Sequence, residues 1–182
     1  MKRKIIADTT DRISEKVNEI FLKHAPSTPV DVVDIARAYG FSVYQLSMDR
    51  NVSGLIIVDS ENIQGFDTNK VIVINADHSF TRKRFTVAHE LGHYFLRNKP
   101  QRCFAHRDAG RVDDEERDAN RFASELLMPE EDFRREYNEA ASRYSSKTLS
   151  MIRPSIIATV ADKFNVSEAA AEIRMRELGL SV

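Results

Sequence analysis

The sequence predicts an α+β protein in which a small antiparallel sheet packs with helices. Apolar residues recur at helical spacing near the N-terminus and again after residue 80. Between residues 41 and 75 the apolar period changes to two, which is typical of strands. Polar turn segments separate the apolar runs of this region, as a meander of antiparallel hairpins requires. These observations predict helices on both sides of a short sheet.

Two helices are expected before the sheet. The first begins after N-cap candidates at residues 9–11 and ends before Pro26. The second opens at Thr28-Pro29 and closes at Gly40, a residue that suits a left-handed cap. The inward faces of the two helices are formed by Ile13, Val17, Ile20 and Phe21, and by Val32, Val33, Ile35 and Ala36.

Four strands are predicted at residues 41–44, 53–58, 63–66 and 71–74. Residues 59–62 and 67–70 are polar turns between consecutive strands. The last strand is apolar on both faces, which predicts a central or well-covered position in the sheet. Thr81 is a candidate N-cap for the helix that follows it.

Composition excludes several classes of protein. A chain of 182 residues with 42% hydrophobic and 30% charged residues describes an ordinary globular protein. The net charge of −1 supplies no global field for nucleic acid, so direct binding of nucleic acid is not expected. Cys103 is the single cysteine and cannot form an intramolecular disulfide. With no apolar run long enough for a signal peptide or a membrane span, we expect a cytoplasmic protein without a membrane partner.

The motif with the most chemical content is His89-Glu90-Leu91-Gly92-His93. Histidines at positions i and i+4 of a helix share one face, so both imidazoles can reach one ion. Glu90 stays close enough to take a proton from an attacking water, as in zinc-dependent peptidases. The alternative is a pair of structural histidines that satisfy their ring nitrogens with other partners. Residues that place the motif beside an apolar helical stripe are Phe85, Val87, Ala88, Leu91, Phe95 and Leu96.

A catalytic zinc site needs a third protein ligand. The metzincin spacing would place a histidine at position 99, and Lys99 excludes that class. His106 is available in a polar, irregular stretch over residues 101–112, but a loop holds a ligand less well than a helix does. The better source is a helix that begins near Asp113 and runs to Met128-Pro129.

Helical phase does not decide which of two carboxylates on that helix is the third ligand, because Glu115 and Glu116 lie equally far from the centre of its apolar face. Asn120 favours Glu116, since it follows that residue by one turn and can hydrogen-bond a metal-binding histidine. The apolar face itself is formed by Ala119, Phe122, Ala123, Leu126 and Leu127.

Three further helices are predicted after this one. The first begins at Pro129 and runs to about Tyr144, and two short helices follow from residue 153, split at residues 165–167 and capped by Gly179. We divide the chain into a metallopeptidase domain with N-terminal helices over residues 1–147 and a C-terminal extension over residues 148–182. The extension resembles a helix-turn-helix pair, but acidic residues offset Arg174 and Arg176 in its second helix.

Two segments together resemble the ImmA/IrrE family of metallo-endopeptidases. They are Arg84 to His93, which contains the histidine motif, and Glu116 to Pro129, which carries the Glu-x-x-x-Asn pair. Ser53-Gly54 and Val73-Ile74-Asn75 also match the pattern, so the similarity covers residues 53–129. The resemblance implies His89, His93 and Glu116 as metal ligands and Glu90 as general base. Asp118 stands where relatives often have a second Glu, and it points off the ligand face.

The resemblance also implies a gluzincin-like zinc endopeptidase that cleaves a helix-turn-helix repressor encoded nearby, as in mobile elements or stress responses. The ligand set is also compatible with Mn²⁺. A second transition-state donor is expected from His106, Tyr94 or Tyr144, and an edge strand at residues 53–58 is the first candidate for holding an extended peptide. The alternatives are an antirepressor that binds without cleaving and a DNA-binding regulator that uses the C-terminal helices.

Overall fold

The computed structural model describes residues 2–59, 61, 63–66, 68–96, 104–107, 114–144 and 149–180, with backbone only at 2–11, 104–107 and 149–151. The predicted α+β class is confirmed. The helices are α1 (Lys2–His24), α2 (Val32–Ala38), α3 (Phe80–Leu96), α4 (Asp114–Leu127), α5 (Glu130–Ser142), α6 (Leu149–Phe164) and α7 (Glu168–Glu177). The strands are β1 (Ser42–Leu46), β2 (Val52–Val58), β3 (Lys70–Asn75) and β4 (Phe104–Arg107).

The sheet is mixed, with strand order β1-β3-β2-β4. β2 pairs antiparallel with β3 and β4, whereas β1 pairs parallel with β3. The expectation of a wholly antiparallel meander is therefore wrong at β1. All four residues from Val71 to Ile74 are buried, so β3 occupies an interior position with a strand on each side. That burial confirms the prediction that this strand is central.

Residues 63–66 do not form the predicted strand. The amide of Phe66 donates to the carbonyl of Ile63 at 2.8 Å, and Gly65 has a positive φ of 87°, so the chain turns at this point. The Phe66 ring packs on Tyr44 with 4.9 Å between ring centroids. The amide of Ile63 donates to the carbonyl of Thr68 at 2.9 Å, so this segment is bonded across a turn and adds no strand to the sheet.

Two further expectations about the sheet are wrong. The strand at 53–58 is not an edge strand, because β2 lies between β3 and β4. The stretch expected to be irregular, residues 101–112, contains β4, which pairs along β2 with Leu55 opposite Ala105. Within the described part of the chain, β1 and β4 are the two edges of the sheet.

The first helix starts earlier than expected. α1 begins at Lys2, so residues 9–11 lie inside it and do not cap it. Continuous backbone hydrogen bonding through this segment outweighs the local preference of Thr and Asp for a cap position. The helix ends at His24, ahead of Pro26, as predicted. For α2 the N-cap is Asp31, which accepts the amides of Val33 and Asp34, and Gly40 takes the predicted left-handed conformation with φ of 84°.

One hydrophobic core connects the sheet, α3, α4 and the C-terminal helices. It contains Ile56 and Ile72 from the sheet, Leu91 from α3, Phe122 from α4 and Phe164 from α6. α6 begins at Leu149, before the expected start, while the break at residues 165–167 and the positive φ of Gly179 are as predicted. The division at residue 147 stays a prediction. Over the described residues, no helix is both long enough and apolar enough to cross a membrane.

Candidate metal centre

The histidine motif occupies the buried middle of α3. Every residue from Thr86 to His93 is buried, because this part of the helix lies between the sheet and α4. His89 and His93 are one turn apart, as their spacing predicts, and their Nε2 atoms are 3.0 Å apart. The two imidazoles therefore converge on one point at the α4 side of α3.

Glu116 completes the cluster from α4. Its two carboxylate oxygens lie 3.3 Å from the Nε2 atoms of His89 and His93, one oxygen beside each ring. Glu115 is exposed, so it is Glu116 that the structure brings to the histidines. Packing of α4 on α3 therefore distinguishes Glu116 from Glu115, which helical phase alone does not.

Asn120 contacts the opposite side of the His89 ring. Its Oδ1 atom lies 3.0 Å from His89 Nδ1. When Nδ1 carries the proton and donates it to this oxygen, Nε2 keeps its lone pair directed at the cluster. Asn120 thus occupies the orienting position that its spacing from Glu116 suggests.

Close approach of the two helices depends on Gly92. A Cβ atom at this position would lie 3.1 Å from both the Cα and the carbonyl oxygen of Ala119, and 3.2 Å from Phe122 Cβ. A Cβ atom here would require α4, the helix that carries Glu116, to give by a few tenths of an ångström. Sequence reasoning missed this role, since a glycine inside a helical pattern reveals nothing about which helix packs on it.

The donor set fits a divalent transition-metal ion. One ligand atom from each of His89, His93 and Glu116 lies within 4.8 Å of the others. Ligands held about 2.0–2.1 Å from one tetrahedral zinc ion are about 3.3 Å apart, close to the separations of 3.0 and 3.3 Å here. The side chains of His93 and His89 are 2% and 11% exposed and that of Glu116 is 25% exposed, so the site opens on the carboxylate side.

Glu90 faces the sheet and is fully buried. Gly54 of β2 lies directly against it, because a Cβ atom there would be 3.6 Å from Glu90 Oε1 and 2.5 Å from Thr86 Cγ2. The same atom would be 2.9 Å from the carbonyl oxygen of Val73. The backbone of β2 therefore packs onto the side of α3 that carries the carboxylate. The sequence marked Gly54 only as part of a family pattern.

The three candidate transition-state donors have different surroundings. The Tyr94 hydroxyl accepts a hydrogen bond from Lys70 Nζ at 2.8 Å, and its ring edge contacts Phe41. Tyr144 directly follows α5 and packs against the hydrophobic core. His106 lies in β4, between residues paired with Leu55 and Val52, and its side chain is outside the described part of the structure. The choice among them stays a prediction.

Two charged side chains on the helices that carry the cluster have shifted pKa values. Burial lowers the pKa of Arg84, against the opposing effect of Asp31. Arg84 donates to the carbonyls of Val30 and Asn165, which ties α3 to the start of α2 and to the turn between α6 and α7. Burial raises the pKa of Asp118, and the nearby guanidinium groups of Arg117, Arg121 and Arg12 oppose that shift.

Known proteins resemble this chain over most of its length. The profile of the Peptidase_M78 family, described as the IrrE N-terminal-like domain, matches residues 36–176. Metallopeptidase ImmA of Bacillus subtilis is 29% identical over 123 residues, which cover 66% of this chain and 65% of that protein. Uncharacterized immunity region protein 2 of Bacillus phage phi105 is 29% identical over 119 residues, or 65% of this chain and 69% of the phage protein.

The two-helix arrangement of His, His and Glu and the family match together define the class as metallopeptidase. Within that class the chain belongs to the Peptidase_M78 family, whose IrrE N-terminal-like domain covers well over half of it. The resemblance to the ImmA/IrrE family is therefore confirmed. The matched region includes the histidine motif, α4 and most of the C-terminal helices.

Proposed function

We propose that this protein is a metal-dependent endopeptidase in which His89, His93 and Glu116 hold the ion and Glu90 is the general base. The observation that carries the proposal is the convergence of both Nε2 atoms on the two oxygens of Glu116, at 3.3 Å each. A structural pair of histidines would not need a carboxylate from another helix, nor a buried Glu90 one residue away.

The chemistry of the chain follows from the surroundings of these residues. A bound divalent cation supplies Lewis-acid activation of water and of the scissile carbonyl. Glu90 accepts the proton of the attacking water and passes it to the amine that leaves when the peptide bond breaks. Asn120 keeps the His89 ring in the tautomer that presents Nε2, so the donor atoms are oriented before the ion binds.

Zinc is the ion we propose, which with Glu116 as third ligand makes the site gluzincin-like. Two imidazoles and one carboxylate leave a fourth tetrahedral position for water or substrate. Manganese is the alternative, because imidazole and carboxylate also suit Mn²⁺. Metal analysis of protein purified without chelators identifies the bound ion. Reconstitution of the apoprotein with zinc or manganese then shows which of the two ions restores cleavage.

The substrate we propose is a helix-turn-helix repressor in the same cytoplasmic compartment, cut so that repression ends. The resemblance to the ImmA/IrrE family supports this choice, as does the phage relative, which is named as an immunity region protein. The edge strand β4 replaces residues 53–58 as the candidate for holding an extended peptide. Its backbone groups on the side away from β2 are positioned to pair with a substrate strand.

Glu90→Gln tests the mechanism. Co-expressed with the repressor, the wild-type chain cleaves it, and the variant is expected to lower the cleavage rate by about 10²–10⁴-fold. Zinc content should stay at the wild-type level, because Glu90 is not a proposed ligand. Exposed Glu61→Gln is the matched control and should cleave normally. Cleavage by Glu90→Gln at the wild-type rate would remove Glu90 from the mechanism.

The same variant distinguishes a peptidase from an antirepressor that binds without cleaving. If Glu90→Gln still relieves repression in cells while the repressor stays intact, binding and not cleavage is the function.

The DNA-binding alternative has less support from the surface of α7. Arg174 is buried there and donates to Met128 O at 3.1 Å, so Arg176 is the exposed basic residue of this helix, which also carries exposed Glu168 and Glu177.

A further inference from the structure

Asn75, the last residue of β3, is a fully buried amide with no role in the chemistry proposed above. Its Nδ2 atom donates to the carbonyl oxygens of Val52 and Asp49, at 2.9 and 3.1 Å, and lies 3.4 Å from that of Met48. Its Oδ1 atom accepts the amide of Asp77 at 3.1 Å. One side chain thus joins the turn before β2 to the connection that leads into α3.

The hydrogen bonds of Asn75 lie where regular strand pairing stops. The ladder between β2 and β3 reaches only to Gly54 opposite Ile74, although β2 begins at Val52. On the other side of β2, the register with β4 shifts between Val52 and Leu55. The Asn75 amide therefore holds the first residues of β2, which the ladders hold weakly.

The segment held in this way is the one that packs on Glu90. Val52 is two residues before Gly54, and the backbone at Gly54 leaves only enough room for a hydrogen atom beside Thr86 and Val73. A movement of the start of β2 would open the contact with Glu90. The metal-binding cluster is on the α4 side of α3, so the same movement would leave His89, His93 and Glu116 in place.

We propose that Asn75 is a positioning residue that keeps the Gly54 segment of β2 against Glu90. The proposal rests on the proposed function, since it assigns Glu90 to the chemistry. A positioning role for Asn75 differs from a merely structural role in its effect on cleavage compared with metal binding. Loss of the Asn75 amide should loosen β2 and slow cleavage without weakening metal binding, because no hydrogen bond of Asn75 reaches the cluster.

Asn75→Asp is the test, because it keeps the size of the side chain and the acceptor for Asp77 but replaces the donor with an oxygen that faces carbonyl oxygens. Asn69→Asp is the matched control. Asn69 also donates its amide to a backbone carbonyl, that of Asp59 at 3.2 Å, in the turn between β2 and β3. Asn75→Ala is a second variant without the added charge, in case the first does not fold.

Three measurements decide the outcome. We expect amide hydrogen exchange over residues 52–58 to be about tenfold faster in the Asn75 variants, with wild-type protection over residues 86–96. Titration with Co²⁺, followed by its visible absorption spectrum, should give the wild-type spectrum and an affinity within twofold. Cleavage of the co-expressed repressor should fall about a hundredfold, and Asn69→Asp should cleave normally.

Unchanged exchange in β2 would overturn the proposal, as would loss of Co²⁺ binding in parallel with loss of cleavage. Equal loss of protection in β2 and α3 would also overturn it, because Asn75 would then stabilise the whole domain. If even the wild-type chain does not cleave the repressor, the proposed function fails, and the exchange and Co²⁺ data still decide whether Asn75 holds β2 independently of the metal site.

Discussion

The two sides of α3 pack against different elements, and each of the two contacts depends on a glycine. On the side that faces α4, Gly92 lies against Ala119, whereas on the side that faces the sheet Gly54 of β2 lies against Thr86 and Glu90. In both contacts a side chain is missing, so backbone approaches backbone or a functional side chain directly. The α4 side brings together the candidate ligands, and the sheet side surrounds the candidate base.

Under the proposed function, binding of the ion and activation of water depend on contacts at different sides of α3. A change on the α4 side should alter metal affinity first, and a change on the sheet side should alter the rate of cleavage with the ion still bound. Substitutions on each side of α3 test that separation.

Glu116→Gln should cause the largest loss on the α4 side. Removal of a charged ligand is expected to weaken zinc binding by more than about a hundredfold, since even partners that only orient ligands are worth about ten- to a hundredfold. Zinc content after dialysis against a competing chelator measures the effect. Exposed Glu115→Gln is the control, and loss of zinc in that variant alone would contradict the assignment of Glu116.

Gly54→Ala should cause a large loss of cleavage through the sheet side without removing Glu90 itself. Its methyl group would lie 2.5 Å from Thr86 Cγ2 and 2.9 Å from Val73 O, so β2 must move away from α3. A displacement of about 1 Å is expected to lower the cleavage rate about a hundredfold, with zinc content unchanged. Thr86→Ser removes the nearer obstacle and keeps the hydroxyl that donates to Arg82 O, so the double variant should recover part of the activity.

If the double variant cleaves no faster than Gly54→Ala, the Thr86 contact is not the cause of the loss. If Gly54→Ala loses zinc as well, the two sides of α3 are not separable.

Gly92→Ala should weaken metal binding by a smaller factor than loss of a ligand. Overpacking against Ala119 is expected to cost about 2 kcal/mol, which is about thirtyfold in a binding constant if the strain displaces Glu116. The comparison is Gly65→Ala, where φ of 87° makes alanine strained but nothing lies within 4 Å of the added atom. That control should lower the melting temperature and leave zinc affinity unchanged, and equal zinc affinities in the two variants would refute the role of Gly92.

Asn120→Ala should have the smallest effect in the series. Loss of the contact between Asn120 Oδ1 and His89 Nδ1 frees the ring to change its tautomer, and zinc affinity is expected to fall about tenfold. Competition with a fluorescent chelator measures this change. An affinity equal to that of the wild type would mean that His89 is oriented by its other contacts, such as the stacked ring of Phe85.

Local patterns predicted the helices better than the sheet. The apolar period and the terminal signals placed α4 to within one or two residues, because a helix forms its hydrogen bonds within one segment. At α3 the predicted N-cap is wrong, since the helix begins at Phe80 and Thr81 lies inside its first turn. Strand pairing joins distant segments, so the parallel pairing of β1 and the strand β4 left no trace in the local pattern. Residues 63–66 carried the pattern of a strand and form a turn, in which Gly65 has a positive φ and the Phe66 ring packs on Tyr44 of β1.

The sequence alone established that two histidines share one helical face beside a glutamate, and it reduced the candidates for a third ligand to two adjacent acids on a later helix. Helical periodicity carries that much, because side-chain direction repeats with the turn of the helix. Three features became visible in the folded molecule alone. Glu116 lies next to the histidines, Gly92 and Gly54 permit the two close contacts of α3, and Asn75 donates hydrogen bonds to the start of β2. Each of these three features depends on a distance between segments that are remote in the chain. That distance is set by packing and cannot be read from local spacing.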